Sequence, residues 1–444
     1  MLVYNAKGQP VSLGAEVGRG GEAAIYKLAV QPALLAKIYH RPPRPDYELK
    51  LDWMRLNPPL DPTQAQGHAS IAWPNDLLFD VNQRLVGYVM VHVQNAVPLL
   101  QVFNPRLRAK TLPTFNRRYL HRAARNLASA LGALHAGAYV IGDLNESNIM
   151  VMPSALVTVI DADSIQVQRR VGAKPILHPC PVGKPEYTPP ELQGKTFSET
   201  ARQPEHDRFG LAVLIFQLLM EGNHPFRAQW LGQGDPPPIE DRIRDGHWPY
   251  APHPGLPIAP PRGAPALDTL HPEIVALVRQ AFVEGHSQPA RRPTPDEWEH
   301  AIITAEKSLG LCGNNHIYSK HLRHCPVCVA RATAEAAHAA KQKAGAQTTA
   351  PRGAPGPAAA KSTVPPRAPW RSAPWSLPRP LATLFGPASV VATVTCRHCR
   401  RVNAAGEIYC QGCAWPFAGK QPCPRCHHGA PTNAHYCPKC GQRL

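Results

Sequence analysis

The chain has 444 residues, 43% of them hydrophobic, which at roughly 100–200 residues per domain is material for two to four domains and at least one sizeable core. Its formal charge of +17 is uneven: residues 307–444 hold 18 Lys and Arg against two acids, Glu335 and Glu407, whereas the first 306 hold 30 basic and 29 acidic residues. The 12 cysteines are as lopsided, all but Cys180 falling in the basic tail, and Gly, at 32 residues without a period, excludes collagen.

The N-terminal MLVYNAKGQPV carries no apolar signal-peptide stretch, so a cytoplasmic chain is expected, neither secreted nor inserted in a membrane. Residues 11 to about 110 are predicted to be strand-rich, with β-branched and apolar runs at Ala24–Val30, Leu34–Tyr39, Ile71–Phe79 and Leu85–Val93. Gly18-Arg19-Gly20-Gly21-Glu22 is a glycine-rich turn between two strands; it serves either as an ordinary hairpin or as a place where backbone N–H groups approach a triphosphate. Lys37 stands between apolar strand positions, which is costly unless it is paired, and Glu48 on the next helix is the candidate partner. Residues 115–136 are predicted helical, because Phe115, Tyr119, Ala123, Leu127 and Leu131 recur on one face. A loop follows, Gly142-Asp143-Leu144-Asn145-Glu146-Ser147-Asn148, and then an apolar strand, Leu156–Ile160, ending in Asp161-Ala162-Asp163. A loop Asp, an Asn and a strand-end Asp supply hard oxygen ligands that suit Mg2+. Three further helices are predicted: Arg208–Glu221, Pro272–Phe282 and Pro295–Leu309. The apolar run Leu211–Met220 within the first of them is half the roughly 20 residues that a bilayer span needs, and reads as a buried helix.

Taken in order, the glycine turn, strand Lys, helix Glu, loop Asp-x4-Asn and strand-end Asp resemble a protein kinase. Gly183-Lys184-Pro185-Glu186-Tyr187-Thr188-Pro189-Pro190-Glu191 resembles the end of a kinase activation segment. Asp207-Arg208-Phe209-Gly210 resembles the start of the buried helix of the larger lobe, and Arg292 the Arg that pairs with the segment's last Glu, here Glu191. The match covers residues 11–306, and more narrowly is similar to bacterial Ser/Thr kinase-like proteins with C-terminal zinc modules. The resemblance implies an α+β, bilobal kinase-like fold in which Gly18, Gly20 and Gly21 cover ATP. Lys37 would hold its α/β-phosphates and pair with Glu48, Asp143 would accept or orient the proton of a substrate hydroxyl, and Asn148 and Asp161 would hold Mg2+. It implies transfer of the γ-phosphoryl group to Ser or Thr of a protein substrate.

The departures from that pattern carry expectations of their own. Ile141-Gly142-Asp143 lacks both the His and the Arg of the family's HRD, and Asn145 stands where a Lys is usual. Asp163 takes a Gly position and is either a metal ligand or a solvated turn residue. Lys37, Asp143 and Asp161 are all kept, so an active transferase is expected, the alternative being an ATP-binding scaffold without chemistry. With Gly142 in the Arg place and no Ser or Thr from Ile165 to Tyr187, activity is expected not to depend on phosphorylation of this segment. Lys184 replaces a Thr; it is expected either to reach Asp143 and the transferring phosphoryl as a further catalytic group, or to face solvent.

The tail divides into three. Cys312-x3-His316-x8-Cys325-x2-Cys328, at 307–329, has the spacing of a tetrahedral Zn2+ site, with His321 and His324 as competitors for His316. Residues 330–394, rich in Pro, Ala and basic residues, read as a disordered linker, with Thr333–Lys343 transiently helical. Residues 395–444 repeat one pattern twice, Cys396-x2-Cys399-x10-Cys410-x2-Cys413 and Cys423-x2-Cys426-x10-Cys437-x2-Cys440, which resembles a double zinc ribbon. Protein partners are the expected ligand of the ribbons, with nucleic acid the alternative offered by the basic charge. Cys180 reads as an ordinary unligated thiol.

Overall fold

A computed structural model of the chain describes residues 2–251 and 255–347, and beyond them the four strands 393–395, 402–404, 420–422 and 429–431. The chain divides into two compact units, residues 1–325 and 326–444.

The first unit begins with a sheet. Strands β1 (Val3–Asn5), β2 (Pro10–Val11), β3 (Leu13–Arg19), β4 (Ala23–Leu28) and β5 (Leu34–Tyr39) precede helix α1 (Pro45–Leu56), and β6 (Asp76–Phe79) and β7 (Leu85–Val91) follow it. They join in the order β2-β1-β6-β7-β5-β4-β3, every pair antiparallel. Alternation sorts the side chains. Leu35, Leu77, Tyr88 and Met90 join Leu51 and Met54 of α1 in the main core, while Ala36, Ile38, Leu78 and Val89 form a second core. Gly87 is required where β7 crosses β5, since a Cβ there would lie 2.0 Å from the Lys37 carbonyl oxygen. The strand expected over Ile71–Phe79 is shorter than its apolar run. Pro74 has no N–H for a ladder, and Ile71 and Ala72 pair instead with Val159.

The larger lobe is helical. After β8 (Val97–Pro98) come α2 (Leu99–Phe103), α3 (Pro105–Thr111), α4 (Arg117–Ala136) and the hairpin β9–β10 (Ile149–Val151, Val157–Val159). Asn116 caps α4 by accepting from the Arg118 N–H, and the predicted stripe Phe115, Tyr119, Ala123, Leu127 and Leu131 is buried throughout. Helix α5 (Pro204–Leu219) starts four residues before the expected Arg208. Pro204 occupies its first turn, where no N–H is missed, and His206 accepts from the Gln203 N–H at 2.9 Å. Its residues from Phe209 to Leu219 are all buried, as a core helix and not a membrane span. Among the described residues no helix is long and apolar enough to cross a membrane. Helix Pro272–Arg279 runs into one wide turn, Gln280–Glu284, and Pro295–Lys307 opens on a capping box between Thr294 and Glu297. This two-lobed α+β arrangement fits the kinase-like fold that the motifs imply.

The second unit opens with helix Pro326–Gln347. The segment 330–347, expected as linker, is therefore helical, as its Ala-rich composition favours. Farther on, Thr393–Thr395 pairs with Val402–Ala404 and Lys420–Pro422 with Gly429–Pro431. The eight cysteines from Cys396 to Cys440 lie outside the described residues.

Candidate active site

A cavity of about 560 Å3 opens between the sheet and the loops that follow α4, within the range of about 300–1,000 Å3 usual for small-molecule sites. Apolar side chains line one part of it, among them Leu35, Met90, Met150 and Ile160; Gly18, Gly20, Gly21, Lys37, Asn148 and Asp161 line the rest. None of these three glycines has a positive φ, and a Cβ added to Gly21 would meet nothing within 4 Å, to Gly20 or Gly18 nothing nearer than 3.8 Å. Packing within the protein does not require glycine at these positions. The space a side chain would fill is left to whatever occupies the cavity, as close backbone approach to a phosphate demands.

Lys37 does not pair with Glu48. Its ammonium bonds the Asp161 carboxylate and, at 2.6 Å, Oδ1 of Asp163. The reason lies in α1, whose inward stripe is Tyr47, Lys50, Leu51 and Met54, the i, i+3, i+4, i+7 spacing of one helix face. Glu48 falls beside that stripe, half-buried, with no ion pair among the described residues. The inward residues turn to Asp163 instead: Tyr47 donates to its carbonyl at 2.8 Å and Lys50 to the same carbonyl at 2.6 Å. Tyr88 bonds Oδ1 at 2.9 Å and Tyr39 bonds Oδ2 at 2.8 Å. Asp163 is thus 1% exposed with both carboxylate oxygens engaged. It is neither a solvated turn residue nor placed to ligate a metal; it is the buried counter-charge of Lys37.

The electrostatics follow from these contacts. Burial would raise the Asp163 pKa, but the Lys37 charge and the hydroxyl donors outweigh it and hold the group below the usual carboxylate range. Burial and the Asp163 charge push Asp161 upward. Burial would lower Lys37, yet Asp163 and Asp161 together keep it above its ordinary value. Lys50, facing only a carbonyl, is pulled down by burial to about 8.

Asp143 sits on the loop after α4 and is held by two amides. Asn145 Nδ2 donates to its Oδ1 at 2.8 Å and Asn148 Nδ2 to its Oδ2 at 3.1 Å. Asn145 also accepts from the Ser147 N–H, so a neutral amide in the Lys place organises the loop itself. Burial raises the Asp143 pKa, against these two bonds. From α5, the Asp207 carboxylate accepts the N–H groups of Ile141 at 2.7 Å and Gly142 at 2.8 Å, and fixes the loop from below. Asn148 spends its N–H groups on Asp143, and one oxygen of Asp161 is bonded to Lys37. The Asn148 side-chain oxygen Oδ1 and the second Asp161 oxygen have no hydrogen-bond partner among the described residues, and both residues border the same cavity, a donor pair that fits Mg2+.

Lys184 approaches this loop without reaching Asp143. Its ammonium bonds Glu146 at 2.9 Å and Ser147 at 2.7 Å. A carboxylate three residues beyond Asp143 captures the cation that was expected to reach Asp143. Glu191 and Arg292 come together as anticipated, in a two-point pair at 2.6 and 2.7 Å.

Sequence reasoning missed Asp163 as a partner of Lys37, Tyr39, Tyr47, Lys50 and Tyr88 as its donors, and Arg202. Arg202 is 2% exposed and bonds the Gly142 and Val182 carbonyls. A signal for Asp163 was present: an acid beside a strand-end Asp, in a Gly position.

Cys312, His316, Cys325 and Cys328 place their ligand atoms within 4.8 Å of one another, with Cys312 and Cys325 sulfurs 3.6 and 3.8 Å from His316 Nδ1. Zn2+ bound tetrahedrally, about 2.3 Å from sulfur and 2.0 Å from nitrogen, spaces its ligands by roughly 3.5–3.8 Å, so the donors fit that metal. His321 is engaged elsewhere, with Ser319 and the Asp268 carbonyl.

No protein-family model matches the chain. Over 333 residues, 73% of this chain, it is 34% identical to "Protein kinase YegI" of Escherichia coli (strain K12), and equally so to the protein of that name from Escherichia coli O157:H7. The chain spans about half the length of these curated relatives, 50% in each case. That likeness, together with the two-lobed fold and the cavity that Lys37 and Asp161 line, supports a bacterial kinase-like family.

Proposed function

We propose that the chain is an ATP-dependent protein kinase that transfers the γ-phosphoryl group to Ser or Thr hydroxyls of a protein substrate. One observation carries the reading: a glycine turn with unfilled side-chain space, Lys37, Asn148 and Asp161 border a single cavity, and a carboxylate held by two amides, Asp143, stands on the adjoining loop. The apolar part of the cavity takes the nucleobase, and the Gly18–Gly21 turn closes over the phosphates. Lys37, kept protonated by Asp163, neutralises the α/β-phosphates. Asp143 lies where it can accept the proton of the attacking hydroxyl, while Asn145 and Asn148 hold its carboxylate in one orientation. Asn148 and Asp161 would hold Mg2+, which supplies charge neutralisation at the β- and γ-oxygens when bound. Positioning and electrostatics, not covalent chemistry, do the catalysis.

Residues 11–306 are the catalytic domain in this reading. The Cys312, His316, Cys325 and Cys328 group binds Zn2+ at its C-terminal edge. Residues 395–444, with the Cys396–Cys413 and Cys423–Cys440 patterns, bind two more Zn2+ and recognise a protein partner. The test is incorporation of label from γ-labelled ATP with Mg2+, wild type against Asp143→Asn. Removing the proton acceptor should lower the rate by on the order of 10²–10⁴. Equal labelling of the two proteins, or ATP binding with no transfer by the wild type, contradicts the proposal.

A further inference from the structure

Arg202 is a buried cation with no ion pair among the described residues: it is 2% exposed, and the Asp207 and Asp143 carboxylates act on it only through their charge, not by contact. Burying such a group is costly unless hydrogen bonds offset it, and its Nε has no hydrogen-bond partner. Nη1 donates to the Gly142 carbonyl at 2.9 Å and Nη2 to the Val182 carbonyl at 3.1 Å. Its own backbone is fixed by Gln166, whose side chain accepts from the Arg202 N–H at 2.7 Å and donates to the Arg202 carbonyl at 2.8 Å. The guanidinium carbon lies 4.1 Å from the Phe197 ring centroid. Two glycines make this possible. Gly142 has φ +74°, and a Cβ there would come within 2.6 Å of Cys180; a Cβ on Gly183 would come within 2.8 Å of Phe197. One side chain therefore ties the carbonyl immediately before Asp143 to the segment at Val182, and its backbone ties in Gln166.

We propose that Arg202 is a positioning residue. Acting through Gly142 and Val182, it holds the Asp143 loop and residues 179–184 in register without any phosphate. The inference rests on the kinase reading above. Its partners are neutral carbonyls, so no anion has to be installed for the tie to form. The hydroxyls at the two ends of the segment are already engaged: Ser164 donates to the Asp161 carbonyl at 2.9 Å, and Thr188, 3% exposed, donates to the Lys184 carbonyl at 2.8 Å.

The test uses the full chain, treated with phosphatase, as wild type, Arg202→Ala, Arg202→Lys and Gly183→Ala. Two quantities are read: the rate of label incorporation as a function of Mg·ATP, and amide hydrogen exchange in peptides covering 140–144 and 179–184. Misplacing a catalytic loop by about 1 Å costs on the order of 10² in rate. Arg202→Ala should lower the maximal rate by roughly 10–10² while the half-saturating ATP concentration moves less than about threefold. Exchange in both peptides should quicken. Arg202→Lys, able to keep one of the two bonds, should fall between. Phosphatase treatment should leave the wild-type rate unchanged. Unchanged rate and exchange in Arg202→Ala, or a wild-type rate abolished by phosphatase, overturns the proposal. Should Arg202→Ala fail to fold, Arg202→Lys and Gly183→Ala decide by the same readouts. Should the wild type transfer no phosphate, the kinase reading fails, while the exchange comparison still decides whether Arg202 ties the two segments.

Discussion

Two ion pairs, each with a buried cation, join distant parts of this chain, and they behave differently. Glu191 and Arg292 sit in the large lobe, and Arg292 also donates to the carbonyls of Gly285 at 2.9 Å and Glu205 at 3.0 Å. The pair is a fastening between the end of the activation segment, the start of α5 and the last helices, remote from the cavity. Lys37 lines the cavity with Asp163 buried behind it, and the acid comes from the loop that also carries Asp161, not from helix α1. A pair whose partners both lie outside the chemistry keeps the expected residues. A pair that orders a reacting cation has changed partner while keeping its charge. One consequence concerns switching. A counter-charge on a helix can be withdrawn by moving the helix; one fixed by three tyrosines and next to Asp161 stays wherever Asp161 stays.

The contrast can be broken experimentally, and the largest effect falls on the fastening. Arg292→Leu leaves Glu191, 28% exposed, with only His206 at 3.6 Å beside it, so the loss falls at the low end of the roughly 3–5 kcal/mol that breaking a fully buried pair costs. Chemical denaturation should show this loss, with the folded fraction keeping near-normal phosphoryl transfer; a rate defect in fully folded protein would make this pair part of the chemistry after all. A smaller, graded effect comes with acid. Burial lowers the pKa of His121 and of His224 to about 4, from an ordinary 6.5, the Arg117 charge adding to it at His121. The unfolded chain then binds more protons than the folded one between those values, so stability falls as pH drops from about 6.5 towards 4. Each group contributes on the order of 3 kcal/mol over that window, at 1.36 kcal/mol per unit. Thermal melts at pH 7 and pH 5 should separate, and His224→Gln should flatten the difference. The least effect on chemistry is expected at the metal group. Cys312→Ser should remove one equivalent of Zn2+ by elemental analysis and leave transfer within about threefold, since the hairpin Leu309–Leu311 and Ile317–Ser319 is also tied to α4 by Arg118, which donates to the Leu309 carbonyl at 2.8 Å.

How far all this could be read from the sequence differs between the same two regions. The stripe of α4, the burial of Phe209–Leu219 and the meeting of Glu191 with Arg292 follow from periodicity and motif order, because each depends on residues whose roles are set locally or by fixed spacing. The cavity residues Lys37, Asn148 and Asp161, and Asp143 on the adjoining loop, were legible for the same reason. Glu48 was not excluded, because the sequence does not give the rotation of α1 about its axis; only the burial of Lys50, Leu51 and Met54 and the Tyr47 bond to Asp163 do. Asp163 was read by its motif position, as a turn residue or a ligand, and its three tyrosine partners are spread over β5, α1 and β7. Lys184 was assigned to Asp143 because the competing Glu146 stands on the same loop, and side-chain reach alone does not choose between them. Arg202 lies outside every motif, and Gly142, whose missing side chain reads as a loss, is the residue whose carbonyl it holds.

The central claim is that Asp163, not Glu48, positions Lys37. The most direct measurement is the initial rate of phosphoryl transfer per folded molecule, across ATP concentrations, for Asp163→Asn beside Glu48→Gln. The account predicts that Asp163→Asn loses on the order of 10²–10³ in kcat/KM for ATP, as when a preorganised charge is removed from a reacting site. Glu48→Gln should stay within about twofold, as for a substitution away from any buried contact. A Glu48→Gln defect as deep as that of Asp163→Asn, or an Asp163→Asn enzyme with full activity, would contradict it.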